Sequence, residues 1–501
     1  MSITLAPTQR RDIKHTTVAI KRVSVVGLGK LGSPIVASFA SHGYETIGLD
    51  INSDFVQALA VHRAPVKETG LQELIEKNKE RIFATSDWNE LVSCSDASFL
   101  VVPTPSDPDG GFSNRFVLDA CEKLGAALRH KKAFHVIIVV STLMPGSSDR
   151  EIIPAIERAS GKKAGKGFGY CYSPTLIALG SVIQNFLHPD LVMIGESDPR
   201  SGEMLESFYR TVVGERPAIH RVNPAEAELA KISINTFVTT KISFANMLGM
   251  VAEGLGGVNV DRVTKILGSD SRIGPKYLTA GGSYGGPCFP RDNRAFSRVA
   301  ELAGVETHIP QATDATNRKQ ITNIARRVEE VLGGVPGPVG IVGVAYKLDT
   351  DVVEEAMGMH LASLLAQHGF RVIVYDPLAI GSARKALGDS VDYADSLAEC
   401  FQKTRAVIIT NPYRSIAVEI TPEMARGKTI IDCWRVLPDS RSDEWPDRVD
   451  RRERKIHNGH ARAPQHATNS HMRVTGAGGD DRLAPNEQSR QSTSDGIEDA
   501  L

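Results

Sequence analysis

Residues 22–50 contain the pattern that most restricts the possible folds of this chain. A short apolar run at 22–26 leads into three glycines, Gly27, Gly29 and Gly32, which are followed by a helix-like stretch at 34–42. A second apolar run then ends in Asp50. This order predicts a β-α-β unit whose first turn binds a dinucleotide, with Asp50 placed for a ribose hydroxyl. A carboxylate there favours NAD over NADP, because it would repel a 2′-phosphate.

The same pattern returns after residue 325. Apolar runs at 339–345, 371–376 and 406–412 repeat the earlier strands, although the glycine spacing is degraded. The repeat predicts a second parallel α/β domain that binds a nucleotide or a similar ligand. The fold class is therefore α/β, with two Rossmann-like, doubly wound parallel-sheet domains joined by a central helical domain.

Two further strand ends carry hydroxyl groups. The run at 97–102 leads into Pro103 and Thr104, and the run at 135–140 leads into Ser141 and Thr142. Ligands of parallel sheets lie beyond the carboxyl ends of the strands. Thr104 and Thr142 are thus candidates for cofactor or substrate contacts, and the alternative is that each satisfies the backbone of its own loop.

The central region contains one long predicted helix, from about 224 to 255, with apolar residues at roughly helical spacing. Lys231 and Asn235 are four residues apart and share a face. They form either a buried site for a negatively charged oxygen or a solvated strip. The helix has more apolar surface than one domain needs, which favours a homodimer.

Residues 281–292, the cysteine loop, hold four glycines and two prolines around Cys288. A thiol on a rigid loop of small residues can act as a nucleophile, and the neighbouring Arg291 is expected to lower its pKa. The alternative is an inert cysteine in a glycine-rich surface turn.

Composition excludes several classes of protein. The formal net charge is −1, so we expect neither nucleic acid nor a membrane as a partner. The six cysteines include no CxxC pair, which favours a reducing cytoplasm over a disulfide or zinc framework. No apolar run is long enough to span a membrane, no signal peptide is expected, and no metal site is predicted, the histidines after residue 456 included.

Taken in order, these motifs resemble the UDP-glucose/GDP-mannose dehydrogenase family over residues 20–436. The resemblance rests on the glycine turn, the segments 102–105 and 141–142, Lys231 with Asn235, the cysteine loop and the segment 343–347. It implies an NAD-binding domain (21–215), a central helical dimerisation domain (216–325) and a nucleotide-sugar-binding domain (326–438). Residues 1–20 and 439–501 are polar and aperiodic, which predicts a flexible leader and a disordered tail.

The resemblance also implies a reaction. The C6 alcohol of a nucleotide sugar would be oxidised to a carboxylate by two hydride transfers to NAD, in a pathway such as polysaccharide biosynthesis. Cys288 would be the nucleophile, Lys231 and Asn235 would stabilise negative oxygen, Asp292 would organise water and base chemistry, and Thr142 would hold a water. Implied cofactor contacts are Gly27, Gly29, Lys30, Leu31, Gly32, Asp50, Pro103, Thr104, Thr142 and Arg291. Implied substrate contacts are Leu176, Lys231, Asn235, Tyr277, Gly285, Lys347 and Arg435.

One segment departs from the family pattern. The family usually has a glutamate where this chain has Thr175, and a second where it has Leu179. A threonine cannot act as a base near neutral pH. An alternative function is therefore a protein that binds NAD and a sugar nucleotide but turns over poorly. A β-hydroxyacid dehydrogenase would explain neither the cysteine loop nor the second α/β domain.

Overall fold

The computed structural model describes residues 19–437. The tail predicted at 439–501, and all but the last two residues of the leader predicted at 1–20, lie outside the described residues.

The N-terminal part of the described chain forms an eight-stranded sheet. Its strands are β1 Arg22–Val26, β2 Glu45–Leu49, β3 Ile82–Ala84, β4 Ala97–Leu100, β5 Val136–Val139, β6 Gly169–Tyr172, β7 Leu191–Glu196 and β8 Ala218–Val222. The spatial order is β3-β2-β1-β4-β5-β6-β7-β8. All neighbours are parallel except β6 and β7. β4, β5 and β6 are buried along their whole length, as expected for strands covered on both faces.

Eight helices belong to this part of the chain. They are α1 Gly32–Ser41, α2 Ser53–Ala60, α3 Leu71–Lys77, α4 Trp88–Cys94, α5 Arg115–Leu128, α6 Ile153–Ser160, α7 Val182–Leu187 and α8 Pro199–Val213. Short 3-10 and π-helical turns occupy Lys79–Arg81 and Ser148–Ile152. Two apolar cores, one on each face of the sheet, hold the helices against it.

The C-terminal part forms a five-stranded, wholly parallel sheet in the order β11-β10-β9-β12-β13. Its strands are β9 Pro338–Val342, β10 Arg371–Tyr375, β11 Asp392–Tyr393, β12 Ala406–Ile409 and β13 Thr429–Asp432. Between them lie a 3-10 turn at Gly388–Ser390 and the helices α13 Met357–Gln367, α14 Ile380–Leu387, α15 Leu397–Lys403, α16 Arg414–Glu419 and α17 Pro422–Ala425. With the helical centre described next, the predicted fold class is confirmed.

Four helices lie between the two sheets in the chain: α9 Pro224–Leu255, α10 Val260–Ser269, α11 Phe289–Leu302 and α12 Ile309–Val331. The longest, α9, has 32 residues. It begins with a capping box between Asn223 and Glu226 and has Pro224 in its first turn, which together satisfy the free N–H groups of the helix start.

The second sheet repeats the glycine turn of the first with one change. Gly27 and Gly343 both have positive φ, at 97° and 99°, and both donate an N–H to the end of the next strand. A Cβ on Gly32 would lie 1.7 Å from the Gly27 oxygen, and a Cβ on Gly358 would lie 2.3 Å from the Gly343 oxygen. Gly358 therefore takes the place of Gly32 across an inserted loop, residues 344–356, which explains the degraded glycine spacing.

Within residues 19–437, no helix is both long and apolar enough to cross a membrane. In the same range, no group of three or more histidine, cysteine, aspartate or glutamate side chains is placed to hold a metal ion.

Candidate active site

The cysteine loop packs against the C-terminal domain. Gly286 has a φ of 83° and donates its N–H to the Glu354 oxygen at 2.9 Å. A Cβ on Gly286 would enter the ring of Tyr346, and a Cβ on Gly285 would lie 2.1 Å from the Glu355 oxygen. These two glycines are required because the inserted loop 344–356 leaves no room for a side chain.

The central helices hold the same loop from the other side. Asn246 on α9 accepts the Gly281 N–H at 2.8 Å and donates to the Gly282 oxygen at 2.9 Å. Asn317 on α12 pairs in the same way with the backbone of Tyr284, at 2.8 and 2.9 Å. Sequence reasoning missed both asparagines, although Asn246 shares the face of α9 that carries Lys231 and Asn235.

Four of the five residues predicted to do the chemistry come together in the structure: Cys288, Lys231, Asn235 and Asp292. Cys288 is the residue before α11, and Asp292 lies in the first turn of that helix. Asn235 donates its Nδ2 to Asp292 Oδ2 at 2.6 Å, and Lys231 lies within electrostatic reach of both Asp292 and Cys288. Lys231, Asn235 and Asp292 are all buried. The two interpretations of the helix face left open by the sequence thus resolve in favour of a buried polar site.

The surroundings of Cys288 raise the pKa of its thiol overall. Although Cys288 is open to solvent, the protein atoms around it raise the pKa of its thiol, and the nearby carboxylate of Asp292 raises it further. Lys231 and Arg291 lower the thiol pKa, but they do not outweigh those two effects. The predicted direction of the Arg291 effect is thus confirmed, but the net shift of the thiol pKa is upward. Burial likewise raises the pKa of Asp292, against the opposing effects of Lys231 and Asn235.

Arg291 connects the cysteine loop to the first sheet domain. Its guanidinium donates to the backbone oxygen of Thr104 and to Ser106 Oγ, the latter at 2.9 Å, and it lies over the ring of Phe112. These contacts place Cys288 next to the loop that follows β4. Pro103 is exposed and Thr104 is buried.

Glu228, a residue that the sequence did not single out, anchors α9 to the stretch after β5. Its fully buried carboxylate accepts the N–H groups of Gly146 and Ser148, at 2.5 and 2.9 Å, and the Ser148 hydroxyl at 2.6 Å. Burial raises the pKa of Glu228. Thr142 is half-buried and stands at the start of this anchored stretch, just after the end of β5 at Val139.

The glycine turn after β1 fits a dinucleotide. A Cβ added to Gly29 would have no other atom within 4 Å, so the backbone there faces open space and is accessible to a pyrophosphate. The Asp50 carboxylate accepts the N–H groups of Leu28 at 2.6 Å and Asn52 at 2.7 Å, which fixes it at the end of β2. Leu31 precedes α1 and packs on the core. Lys30 pairs with Asp351 of the inserted loop at 3.0 Å, so the two nucleotide domains face each other here.

The predicted substrate residues are more dispersed. Lys347 follows Tyr346 in the inserted loop, and burial lowers its pKa. Arg435 binds both Asp261 carboxylate oxygens, at 2.6 and 2.7 Å, and the Ala280 oxygen at the base of the cysteine loop. Tyr277 is exposed, and Leu176 is half-buried beside Thr175.

Backbone strain marks the same region. In the described chain, five non-glycine residues have positive φ. Four of them lie on segments that flank or contact the cysteine loop: Tyr277 just before it, Asp349 and Glu355 in the inserted loop, and Arg435, which binds the Ala280 oxygen. Such conformations are costly and collect at binding and catalytic sites. The strain therefore points to this cleft independently of the cysteine.

Comparisons with known proteins agree with this geometry. Models of the UDP-glucose/GDP-mannose dehydrogenase family match three consecutive parts of the chain: the NAD binding domain at residues 21–213, the central domain at 225–319 and the UDP binding domain at 340–439. A UDP-glucose 6-dehydrogenase of Haloferax volcanii is 32% identical over 419 residues, which cover 83% of this chain and 97% of that protein. A GDP-mannose 6-dehydrogenase of Pseudomonas aeruginosa is 27% identical and covers the same shares.

Among solved structures, a UDP-glucose dehydrogenase from Pyrobaculum islandicum has a TM-score of 0.79 and 33% identity, over 90% of this chain and 100% of that one. With a thiol, a lysine and an amide–carboxylate pair gathered between two nucleotide-binding sheets, the chain belongs to the UDP-glucose/GDP-mannose dehydrogenase family.

Proposed function

We propose that this protein oxidises the C6 alcohol of a nucleotide sugar to a carboxylate through a thiohemiacetal and a thioester on Cys288. The observation that carries the proposal is the meeting of Cys288 with Lys231, Asn235 and Asp292 between the two nucleotide domains. When bound, NAD supplies the hydride acceptor for both oxidations.

The thiol provides the covalent step. Its thiolate adds to the aldehyde carbon formed by the first oxidation, and the C–S bond keeps that reactive intermediate in the site. The second oxidation converts the adduct to a thioester, and water releases the acid. Because the thiol pKa is raised, the thiolate form depends on the balance between Asp292 and the cations Lys231 and Arg291.

Lys231 and Asn235 stabilise the oxygen that becomes negative. One N–H of the Asn235 amide is used by Asp292, which orients the amide and leaves its second N–H to donate. The Lys231 ammonium makes no hydrogen bond to another residue of the described chain and is therefore available to the substrate oxygen. Preorganised donors of this kind act strongly because they are buried.

The substrate is proposed to bind mainly to the C-terminal domain and the cysteine loop, with Leu176, Tyr277, Gly285, Lys347 and Arg435 as contacts. The cofactor is proposed to bind at Gly27–Gly32, Asp50, Pro103, Thr104, Thr142 and Arg291. We propose a UDP-linked sugar, with UDP-glucose as the first candidate. Two relatives at 32% and 33% identity carry UDP-glucose in their names, and the C-terminal match is a UDP binding domain.

A homodimer is proposed on the outer face of α9. Five apolar side chains on that face are exposed. Phe237 and Leu255 are each about two-thirds exposed, and Leu229, Phe244 and Val251 are exposed to a smaller extent. At 3.6 residues per turn they fall within about 80° of one another. A second copy of the same helix would cover this stripe, because two-fold symmetry brings the same apolar surface of both copies together.

The cellular location is proposed to be the cytoplasm. Six free cysteines support this proposal, because thiols stay reduced there.

The test is incubation of the purified protein with NAD and a panel of UDP- and GDP-linked sugars. NADH absorbance and product mass are followed together. Two NADH per acid released are expected for the true substrate. A protein that binds NAD but gives no NADH with any sugar nucleotide would contradict the proposal and support the binding-protein alternative, which no feature of the site geometry specifically favours.

A further inference from the structure

The carboxylate of Glu68 holds the β6–α7 segment, residues 173–182, which connects β6 to α7. Its Oε2 accepts the N–H of Gly180 at 3.1 Å, and its Oε1 accepts the N–H of Val182 at 2.7 Å. Glu68 is half-buried in the loop between α2 and α3, 112 residues before Gly180 in the chain. Both carboxylate oxygens are thus used to fix the end of this segment and the start of α7.

The local sequence does not cap α7. Its N-cap residue, Ser181, makes no side-chain hydrogen bond to the helix. The free N–H groups at a helix start need an acceptor, and a charged acceptor makes the stronger hydrogen bond. Glu68 supplies that acceptor from a distant part of the chain, so its carboxylate ties the β6–α7 segment to the loop between α2 and α3.

The same segment also touches the C-terminal domain. Gly180 has a φ of 84°, and a Cβ on it would lie 2.4 Å from the backbone oxygen of Asp349 in the inserted loop. Asp349 is two residues after Lys347, a proposed substrate contact, and the inserted loop also packs against the cysteine loop. Gly180 is therefore held between the Glu68 carboxylate and the loop that carries Lys347.

The position of this segment matters for the substrate. It carries Leu176, a proposed substrate contact, four residues before Gly180. Cys288 and Asn235, by contrast, lie at the start of α11 and on α9, and neither is hydrogen-bonded to Glu68. A shift of the segment would therefore change the fit of the substrate and leave the reacting groups in place.

We propose that Glu68 is a positioning residue of the sugar-nucleotide site; this inference rests on the proposed function. By fixing Gly180 and Val182, its carboxylate sets where Leu176 lies relative to Lys347 on the inserted loop. Glu68 acts through the β6–α7 segment and takes no part in the bond-making steps.

The test measures kcat, KM for NAD and KM for the sugar nucleotide that gives NADH in the panel, in wild type and two variants. Glutamine in Glu68→Gln keeps the side-chain shape but turns an NH₂ group toward one of the two backbone N–H donors, so one hydrogen bond is lost. We expect KM for the sugar nucleotide to rise at least about tenfold, as for the loss of one charge-assisted hydrogen bond. The other two constants should stay within about threefold of wild type.

Glu73→Gln is the matched control. Glu73 lies on α3, is exposed, and makes no hydrogen bond or ion pair with another residue in the range 19–437. All three constants of this variant should match wild type.

A second variant disturbs the same segment at its other contact. Gly180→Ala drives a Cβ against the Asp349 oxygen and should also raise KM for the sugar nucleotide. Because both changes displace one segment, the double variant with Glu68→Gln should raise KM by less than the product of the two single effects. A full product would show that Glu68 and Gly180 act independently and would contradict the inference.

An unchanged KM for the sugar nucleotide in Glu68→Gln would overturn the inference while leaving the proposed function intact. So would parallel losses in kcat, NAD affinity and unfolding temperature, because Glu68 would then support the fold as a whole. If wild type itself forms no NADH with any sugar nucleotide, the proposed function fails and the inference fails with it.

Discussion

Asn235 Nδ2 lies 2.6 Å from Asp292 Oδ2, and this hydrogen bond joins α9 to the first turn of α11, the helix that Cys288 precedes. Both side chains are at least nine-tenths buried. If the Asn235 amide were removed, the Asp292 carboxylate would remain buried without its hydrogen-bond donor, which is unfavourable. The hydrogen bond therefore stabilises the fold as well as orienting two groups of the site.

Replacement of Asn235 by alanine should therefore affect activity and stability together. We expect kcat to fall about 10²-fold, because an oxyanion donor is lost, and the free energy of unfolding to fall by about 1–3 kcal/mol. Steady-state kinetics and urea unfolding measure the two effects. Ser233→Ala, two residues away on α9, removes a hydroxyl that bonds only to its own helix and should change neither. Wild-type kcat in Asn235→Ala would exclude the proposed role.

The charges around Cys288 predict opposite effects of two variants on thiol reactivity. Asp292 raises the thiol pKa and Lys231 lowers it. Since the thiolate is the reactive form, Asp292→Asn should speed alkylation of Cys288 by iodoacetamide at neutral pH, and Lys231→Met should slow it. Peptide mass mapping against pH gives the rate for this cysteine alone. Parallel shifts in both variants would show that local structure, not charge, controls the thiol.

The departure from the family pattern at position 175 predicts a gain of activity in one variant. Thr175→Glu should raise steady-state turnover by at least about tenfold, because a carboxylate can take a proton from water near neutral pH and a threonine cannot. Turnover is measured with the same substrate as wild type, after NAD binding has been checked. Unchanged turnover, with NAD binding preserved, would mean that the site uses another base.

The apolar stripe on α9 predicts the oligomeric state. Phe237→Glu places a charge in the middle of the proposed interface and should weaken the dimer by at least about 100-fold, because burying an unpaired charge is costly. Sedimentation velocity at several concentrations measures this. Val418→Glu on α16 adds the same charge to another exposed apolar position and should leave the dimer intact. A Phe237→Glu protein that remains a dimer would place the interface elsewhere.

A buried histidine predicts acid sensitivity. His135 is fully buried, with Nε2 2.8 Å from Ser98 Oγ, and burial, aided by Lys131, lowers its pKa to about 3. In the unfolded chain histidine binds a proton below about pH 6.5. The folded state therefore loses stability as pH falls through that value, by about 2 kcal/mol between pH 6.5 and 5 from this residue alone.

His135→Gln should flatten this pH dependence, even though it lowers stability at neutral pH. Urea unfolding between pH 5 and 7.5 measures the slope. His130→Gln, at an exposed histidine, should keep the wild-type slope. An unchanged slope in His135→Gln would mean that another group takes up the proton.

The sequence alone determined the local units. The glycine turn with Asp50, the repeated strands and the long α9 are consequences of backbone geometry and side-chain periodicity, which act over a few residues at a time. The degraded glycine spacing of the second domain could not be resolved in this way, because the glycine that takes the place of Gly32 is Gly358, beyond an inserted loop.

Only the tertiary structure decided which face of α9 points inward. Its periodicity shows apolar and polar stripes, and on its own would suggest an apolar inner face. In the structure, the polar stripe with Lys231, Asn235 and Asn246 is buried against the cysteine loop, while Phe237 and Phe244 are exposed. The charges that set the thiol pKa were likewise beyond the sequence. Asp292 is only four residues from Cys288, but Lys231 lies on α9, far away in the chain, and its effect on the thiol depends on a distance that only the packing of α9 against the cysteine loop creates.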